Sequence, residues 1–150
     1  MLEEVIINLW VGDNGHCNSI KFDAIIHAKK ECWKSAGGKN SLHLRKDNQL
    51  YIDMIDGRDT TFSTEMFTGT FDFITEYLSK EKKVLIHCNE ARSRSPAIAL
   101  AYLTFVKEIF SKTNYRKARE DFYGIYPNFQ NSNAGIDIFL RKNWHLFPKS

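Results

Sequence analysis

The 150-residue chain has only three cysteines, Cys17, Cys32 and Cys88, widely spaced and without a Cys-x-x-Cys pair. That excludes a disulfide framework or zinc ribbon and points to a reducing, cytoplasmic setting in which Cys17 and Cys32 serve as packing residues. Proline is scarce at three residues, and no Pro/Ser-rich or low-complexity stretch marks a linker, so one domain over 1–150 is expected. No apolar run approaches the roughly 18 residues a membrane span needs, and no membrane partner is expected. The first residues, Met1-Leu2-Glu3-Glu4, lack the basic opening of a secretory signal. The net charge is only +3, and the basic residues form no stripe interleaved with aromatics, so no nucleic-acid partner is indicated.

Hydrophobic residues make up 43% and charged residues 26%, values typical of a globular domain. At this length a chain buries roughly 70% of its unfolded surface without a metal or disulfide staple. Ile6–Val11 and Phe22–Ala28 read as strands, and Leu42–Arg45 and Leu50–Ile55 as two more around a polar turn. From Ser63 to Leu78, Phe67, Phe71, Ile74 and Leu78 recur at helical spacing. Val84-Leu85-Ile86 is apolar on successive residues, as a strand covered on both faces would be. A buried helix follows from Ser95-Pro96 to Phe110, with Ser95 as cap, then helices near Asn114–Tyr123 and Asn133–Trp144, the latter capped by Asn133. Arg116, Lys117 and Arg119 fall on a solvated face. The alternation of strands and helices describes an α/β domain with a mostly parallel sheet.

The informative stretch is His87-Cys88-Asn89-Glu90-Ala91-Arg92-Ser93-Arg94-Ser95, between the apolar strand and the buried helix. A cysteine leaving a strand, five residues, then arginine and serine lets one short loop wrap an oxyanion with the sulfur beneath it. Inward backbone N–H groups from Asn89 to Arg94 form an anion nest, and the following helix adds the positive end of its dipole. Arg94 supplies a planar fork matching two phosphate oxygens. The same groups favour negative charge at the sulfur, so the loop prepares both nucleophile and substrate. Ser95 can donate to the sulfur as it leaves, and His87, one residue back, is expected to support the loop from behind.

Displacing an alkoxide also requires an acid to protonate the leaving oxygen, a contribution of about 10²–10⁴-fold. Tyr51-Ile52-Asp53-Met54-Ile55-Asp56-Gly57-Arg58-Asp59 offers three aspartates. Asp53 lies within the strand pattern, whereas Asp56 sits at its end beside a glycine, where a loop can carry it over an anion at the C-terminal edge of the sheet. Asp56 is the first choice and Asp59 the second.

With these residues in place the chain resembles the dual-specificity phosphatases, a family of cysteine-dependent protein phosphatases. Its His-Cys-x-x-x-x-x-Arg-Ser pattern is met by His87, Cys88, Arg94 and Ser95, with Ser93 and Pro96 also fitting. The family's general acid lies about thirty residues before the nucleophile, and Asp56 precedes Cys88 by 32 residues, Asp59 by 29. Leu9-Trp10-Val11-Gly12, Phe22–Ala28 and Ser132-Asn133-Ala134-Gly135-Ile136 are similar to the family's opening strands and last helix start.

The resemblance implies a compact three-layer α/β/α domain with a sheet of about five strands, acting as a monomer without metal or other cofactor on phosphorylated proteins through a phosphocysteine. The departure is at Glu90-Ala91, where the family has Ala-Gly; replacing glycine costs on the order of 1 kcal/mol if that position requires positive φ. An inward Arg92 would suit a more highly charged substrate, a phosphoinositide or an RNA 5′-triphosphate. A phosphate-binding module without turnover is the alternative from outside the enzymes.

Overall fold

The computed structural model describes residues 1–129 and 134–148. Six strands form one sheet: β1 (Leu2–Ile6), β2 (Leu9–Gly12), β3 (Ala24–His27), β4 (His43–Lys46), β5 (Gln49–Ile52) and β6 (Val84–His87), in spatial order β1-β2-β6-β3-β5-β4. The inner four, β2, β6, β3 and β5, are parallel, while β1 and β4 close the edges antiparallel. The sheet therefore has six strands rather than about five.

The additional strand arises at the N-terminus. Ile6 pairs with Leu9 across a two-residue turn in which Asn8 takes φ +71°, so the stretch expected as one strand folds back on itself as the β1–β2 hairpin. Asparagine tolerates this left-handed geometry better than most residues, and no glycine marks the turn. A second two-residue turn, with Asp47 at φ +57°, joins β4 to β5 in the register Lys46↔Gln49.

Among the described residues there are six α-helices: α1 (Lys30–Ser35), α2 (Thr64–Thr68), α3 (Phe71–Leu78), α4 (Arg94–Phe105), α5 (Tyr115–Ile125) and α6 (Gly135–Asn143). Strand residues alternate between two apolar clusters. Ala24, Ile26, Val84 and Ile86 join the large core with α2 to α6, while Ile25 and Leu85 pack with Phe22 on the other face. His27, His87 and Tyr51 share that second face and meet Cys32 of α1, so helices cover both sides of the sheet. Each fully buried Leu or Ile side chain contributes roughly 1.5–3 kcal/mol, and α4 is buried along its whole length.

Several boundaries differ from the periodicity. The helix expected over 63–78 is two helices, because the chain turns at Gly69-Thr70, where a Cβ on Gly69 would sit 2.3 Å from the His43 ring. Helix α4 stops at Phe105, before the polar pair Lys107-Glu108, and Glu108 takes φ +57°. Its cap is Ser93, not Ser95, so Pro96 falls in the first turn, where the missing N–H has no helical partner to lose. Helix α5 begins as expected, the Asn114 side chain accepting from Lys117 N at 3.1 Å. Arg119 is not on a solvated face: it donates to the buried Asp137 at 2.7 Å, beside the Tyr115 hydroxyl. The expected cap at Asn133 lies outside the described residues.

Candidate active site

The parallel strands β6, β3 and β5 deliver their C-terminal ends to one edge of the sheet, and the 88–94 loop leaves β6 there. Cys88 N donates to Gly12 O at 3.3 Å and Asn14 N to Asn89 O at 3.1 Å, which fixes the start of the loop to the end of β2. Lys29 Nζ reaches Asn89 Oδ1 at 3.4 Å and Asn14 Oδ1 at 3.2 Å. The loop and Asp56 line a pocket of about 160 Å³ comprising Asp56, Cys88, Asn89, Glu90, Arg92, Ser93 and Arg94.

At its floor the Cys88 side chain is 1% exposed, and Sγ lies 3.1 Å from Ser95 Oγ. Ser95 therefore turns toward the sulfur instead of capping the helix. Arg94 is also buried; its Nη1 donates to Met54 O at 3.2 Å, an oxygen that also accepts from Lys30 N at 2.9 Å. Its Nε is buried with no hydrogen-bond partner among the described residues. A buried donor without an acceptor costs about 1–3 kcal/mol, and an oxyanion in this pocket would relieve that cost.

The three aspartates separate clearly. Asp53 pairs with Lys30 at 3.0 Å, and Asp59 pairs with Lys142 of α6 at 3.0 Å, which holds its carboxyl below the usual range. Asp56 alone of the three lines the pocket. Its loop is backed by α6: a Cβ on Gly135 would lie 1.9 Å from Gly57 O, so only glycine permits this approach.

Ala91 resolves the question raised by the missing glycine. It adopts φ +59°, so the loop does require a left-handed residue there and alanine supplies it. Its carbonyl accepts from the Tyr126 hydroxyl at 2.5 Å and from Asn128 Nδ2 at 3.2 Å. These clamps hold the strained residue from behind. Nothing in the Tyr126-Pro127-Asn128 turn announced them. Glu90 and Arg92 both stay exposed on the pocket wall, one charge of each sign.

His87 points to the sheet face opposite the large core. Its Nε2 meets His27 Nδ1 at 2.6 Å, and its Nδ1 lies 3.4 Å from Cys88 O. Burial, reinforced by repulsion from His27, pushes His87 down to about 3. His27, stacked on Tyr51, is the residue missed in the sequence; a histidine inside the apolar run Ala24-Ile25-Ile26 was the available signal. All three cysteines are free.

A strand-loop-helix cradle with a buried cysteine, a buried arginine and an overhanging aspartate defines a cysteine-phosphatase type of domain. The profile of the dual specificity phosphatase catalytic domain matches residues 12–133, and the chain belongs to that family. Human dual specificity protein phosphatase 5 is 28% identical over 128 residues, covering 84% of this chain and 32% of that protein. Dual specificity protein phosphatase PHS1 of Arabidopsis thaliana is 28% identical over 141 residues, covering 92% of this chain and 15% of that protein. The chain thus spans about a third or less of the curated relatives it matches.

Among solved structures, the human tyrosine phosphatase-like serine/threonine/tyrosine-interacting protein shares the fold with a TM-score of 0.70 at 21% identity, covering 97% of this chain and 96% of that one. Human DUSP28 does so with a TM-score of 0.71 at 16% identity, covering 97% and 93%. Among the described residues no helix is long and apolar enough to cross a membrane.

Proposed function

We propose that residues 1–150 form one catalytic domain hydrolysing phosphomonoesters of proteins, both phosphotyrosine and phosphoserine/threonine, through a phosphocysteine. The observation that carries this reading is the buried Nε of Arg94, without a hydrogen-bond partner among the described residues, on a side chain that lines one pocket together with Cys88 and Asp56. Cys88 attacks as thiolate, forming the S–P bond while the P–O bond to the leaving group breaks. The Asp56 carboxylic acid gives its proton to the departing oxygen. Loop amides from Asn89 to Arg94 and the Arg94 guanidinium hold the equatorial oxygens throughout. In the second half, the Asp56 carboxylate takes a proton from water, the water oxygen bonds to phosphorus and the S–P bond breaks. Ser95 Oγ, 3.1 Å from the sulfur, donates to the thiolate as it leaves.

The test is turnover of an aryl phosphate and of phosphopeptides. Cys88→Ser should abolish both, and retained turnover overturns the mechanism. Asp56→Asn should slow an alkyl phosphomonoester by about 10²-fold or more, while Asp59→Asn, which removes only the Lys142 pair, should not. The reverse order would move the acid to Asp59.

A further inference from the structure

On the face of the sheet away from the large core, a line of polar groups runs between two backbone carbonyls. Asn48 Nδ2 donates to Asp23 O at 2.9 Å, and Gln49 Nε2 to Asn48 Oδ1 at 3.4 Å. Gln49 Oε1 then faces His27 Nε2 at 2.6 Å, His27 Nδ1 faces His87 Nε2 at 2.6 Å, and His87 Nδ1 faces Cys88 O at 3.4 Å. A carbonyl can only accept, so directions are fixed from both ends. From Asp23, the amides pass the acceptor role to Gln49 Oε1, which makes His27 Nε2 the donor. From Cys88 O, His87 Nδ1 is the donor. Two neutral rings assigned in this way leave their inner nitrogens, His27 Nδ1 and His87 Nε2, facing each other with a lone pair each. The chain closes in one of two ways: a further proton held between the rings, which makes one of them an imidazolium, or a bound cation that both lone pairs face.

Metal-bound histidines show this same arrangement, each ring donating its outer N–H to a carbonyl and turning its inner nitrogen to the ion. The third ligand is in place: a ring nitrogen of each histidine and the Cys32 sulfur lie within 4.8 Å of one another. Access is in place as well, because His27 and Cys32 line an open cavity of about 520 Å³ beside the 88–94 loop.

The geometry points to a binding site for a borderline-soft divalent cation such as Zn²⁺, formed by His27, His87 and Cys32 behind the phosphate loop, with the fourth position open to the cavity. Zn–N bonds of about 2.0–2.1 Å at tetrahedral angles set two nitrogens about 3.3 Å apart, so the inner pair opens by roughly 0.7 Å on loading. The thiol gives its proton to solvent as the sulfur binds. The ion stands apart from the phosphoryl chemistry and acts on its platform, because the His87 ring it fixes also holds Cys88 O.

The experiment uses the full chain stripped with chelator and titrated with Co²⁺ alone, followed by Zn²⁺. The expected result is one cobalt per chain with sulfur-to-cobalt charge-transfer absorption that zinc displaces, and a thermal midpoint that rises with zinc. Cys32→Ser, at a half-buried position, should remove the absorption and the thermal shift. His27→Gln should weaken binding by at least about tenfold, since even outer-shell partners of a metal ligand are worth about 10–100-fold. Cys88→Ser should leave the absorption intact, and because the readout is metal, it stands whether or not the domain turns over phosphate. Absence of stoichiometric cobalt binding, absorption that survives Cys32→Ser, or absorption lost in Cys88→Ser overturns the site.

Discussion

Judged by backbone geometry alone, Ala91→Gly is a stabilising change, since it removes a side chain from a residue held at φ +59°. Left-handed geometry costs an L-residue about 1–2 kcal/mol, and glycine does not bear that cost. Two opposing effects are of the same size. Glycine makes the unfolded chain freer, which lowers stability by about 0.4–1 kcal/mol. The Ala91 methyl is fully buried in the large core, and deleting it loses about 0.8 kcal/mol. The effects nearly cancel, so Ala91→Gly should lie within about 1 kcal/mol of the parent in guanidinium unfolding at unchanged m.

Ala91→Val separates the causes. Branching at Cβ worsens the left-handed strain and adds volume to a filled site, so it should destabilise by about 2–4 kcal/mol. A gain of more than about 2 kcal/mol from glycine would mean that the methyl packs against nothing of consequence. Valine within about 1 kcal/mol of the parent would mean that the loop has no fixed left-handed residue at all, and the clamp described for its carbonyl would fall with it.

Tyr126→Phe removes one of the two donors to Ala91 O and should cost about 1 kcal/mol, with Asn128 keeping the carbonyl satisfied; an unchanged unfolding midpoint would show that the hydroxyl is not part of the clamp. Ser95→Ala should leave formation of the phosphocysteine fast and slow its hydrolysis by roughly 10²-fold, seen as a product burst in rapid mixing; a slowed burst phase instead would place Ser95 in the first step. Burial lowers the pKa of His43 in the folded protein below its ordinary 6.5, so the unfolded chain takes up the proton first. Its contribution to stability is present above that pH and is lost as pH falls toward the folded value. Unfolding free energy measured from pH 7 to 5 should therefore fall less steeply in His43→Gln, and parallel curves would refute the assignment.

The 88–95 loop was legible because its pattern is local: cysteine, arginine and serine fall within eight residues of chain, and the buried strand and helix on either side are written as continuous apolar runs. The β1–β2 hairpin was not, because Ile6-Ile7-Asn8-Leu9 keeps a strand's composition through its turn and only the backbone of Asn8 departs. Helix α1 was missed for a different reason. Lys30–Ser35 exposes most of its surface and buries only Trp33, leaving almost no periodicity to read. The break at Gly69 answers to the His43 ring, which arrives from a distant strand. The supports of the site, Met54 O for Arg94 and Tyr126 for Ala91, are likewise contacts across 40 and 35 residues that no local pattern encodes. What distinguishes Asp59 from Asp56 is Lys142 in the last helix, 83 residues further along the chain.

The close approach of Gly135 to Gly57 O gives that last helix a second role. Because the backbone of the aspartate loop rests directly on the first residue of α6, with Lys142 holding Asp59 two turns further along, an outward swing of the loop would have to break both contacts. By the proposed mechanism Asp56 would then be in place before any substrate arrives, and discrimination among substrates would fall to the rim, where Glu90 and Arg92 stand exposed. A single methyl at position 135 would act like a wedge under a hinge, displacing the loop that carries Asp56 while leaving Cys88 and its own loop untouched. By the proposed mechanism, a protein altered in this way would still form phosphocysteine from substrates whose leaving group needs no proton, and would fail on those that do.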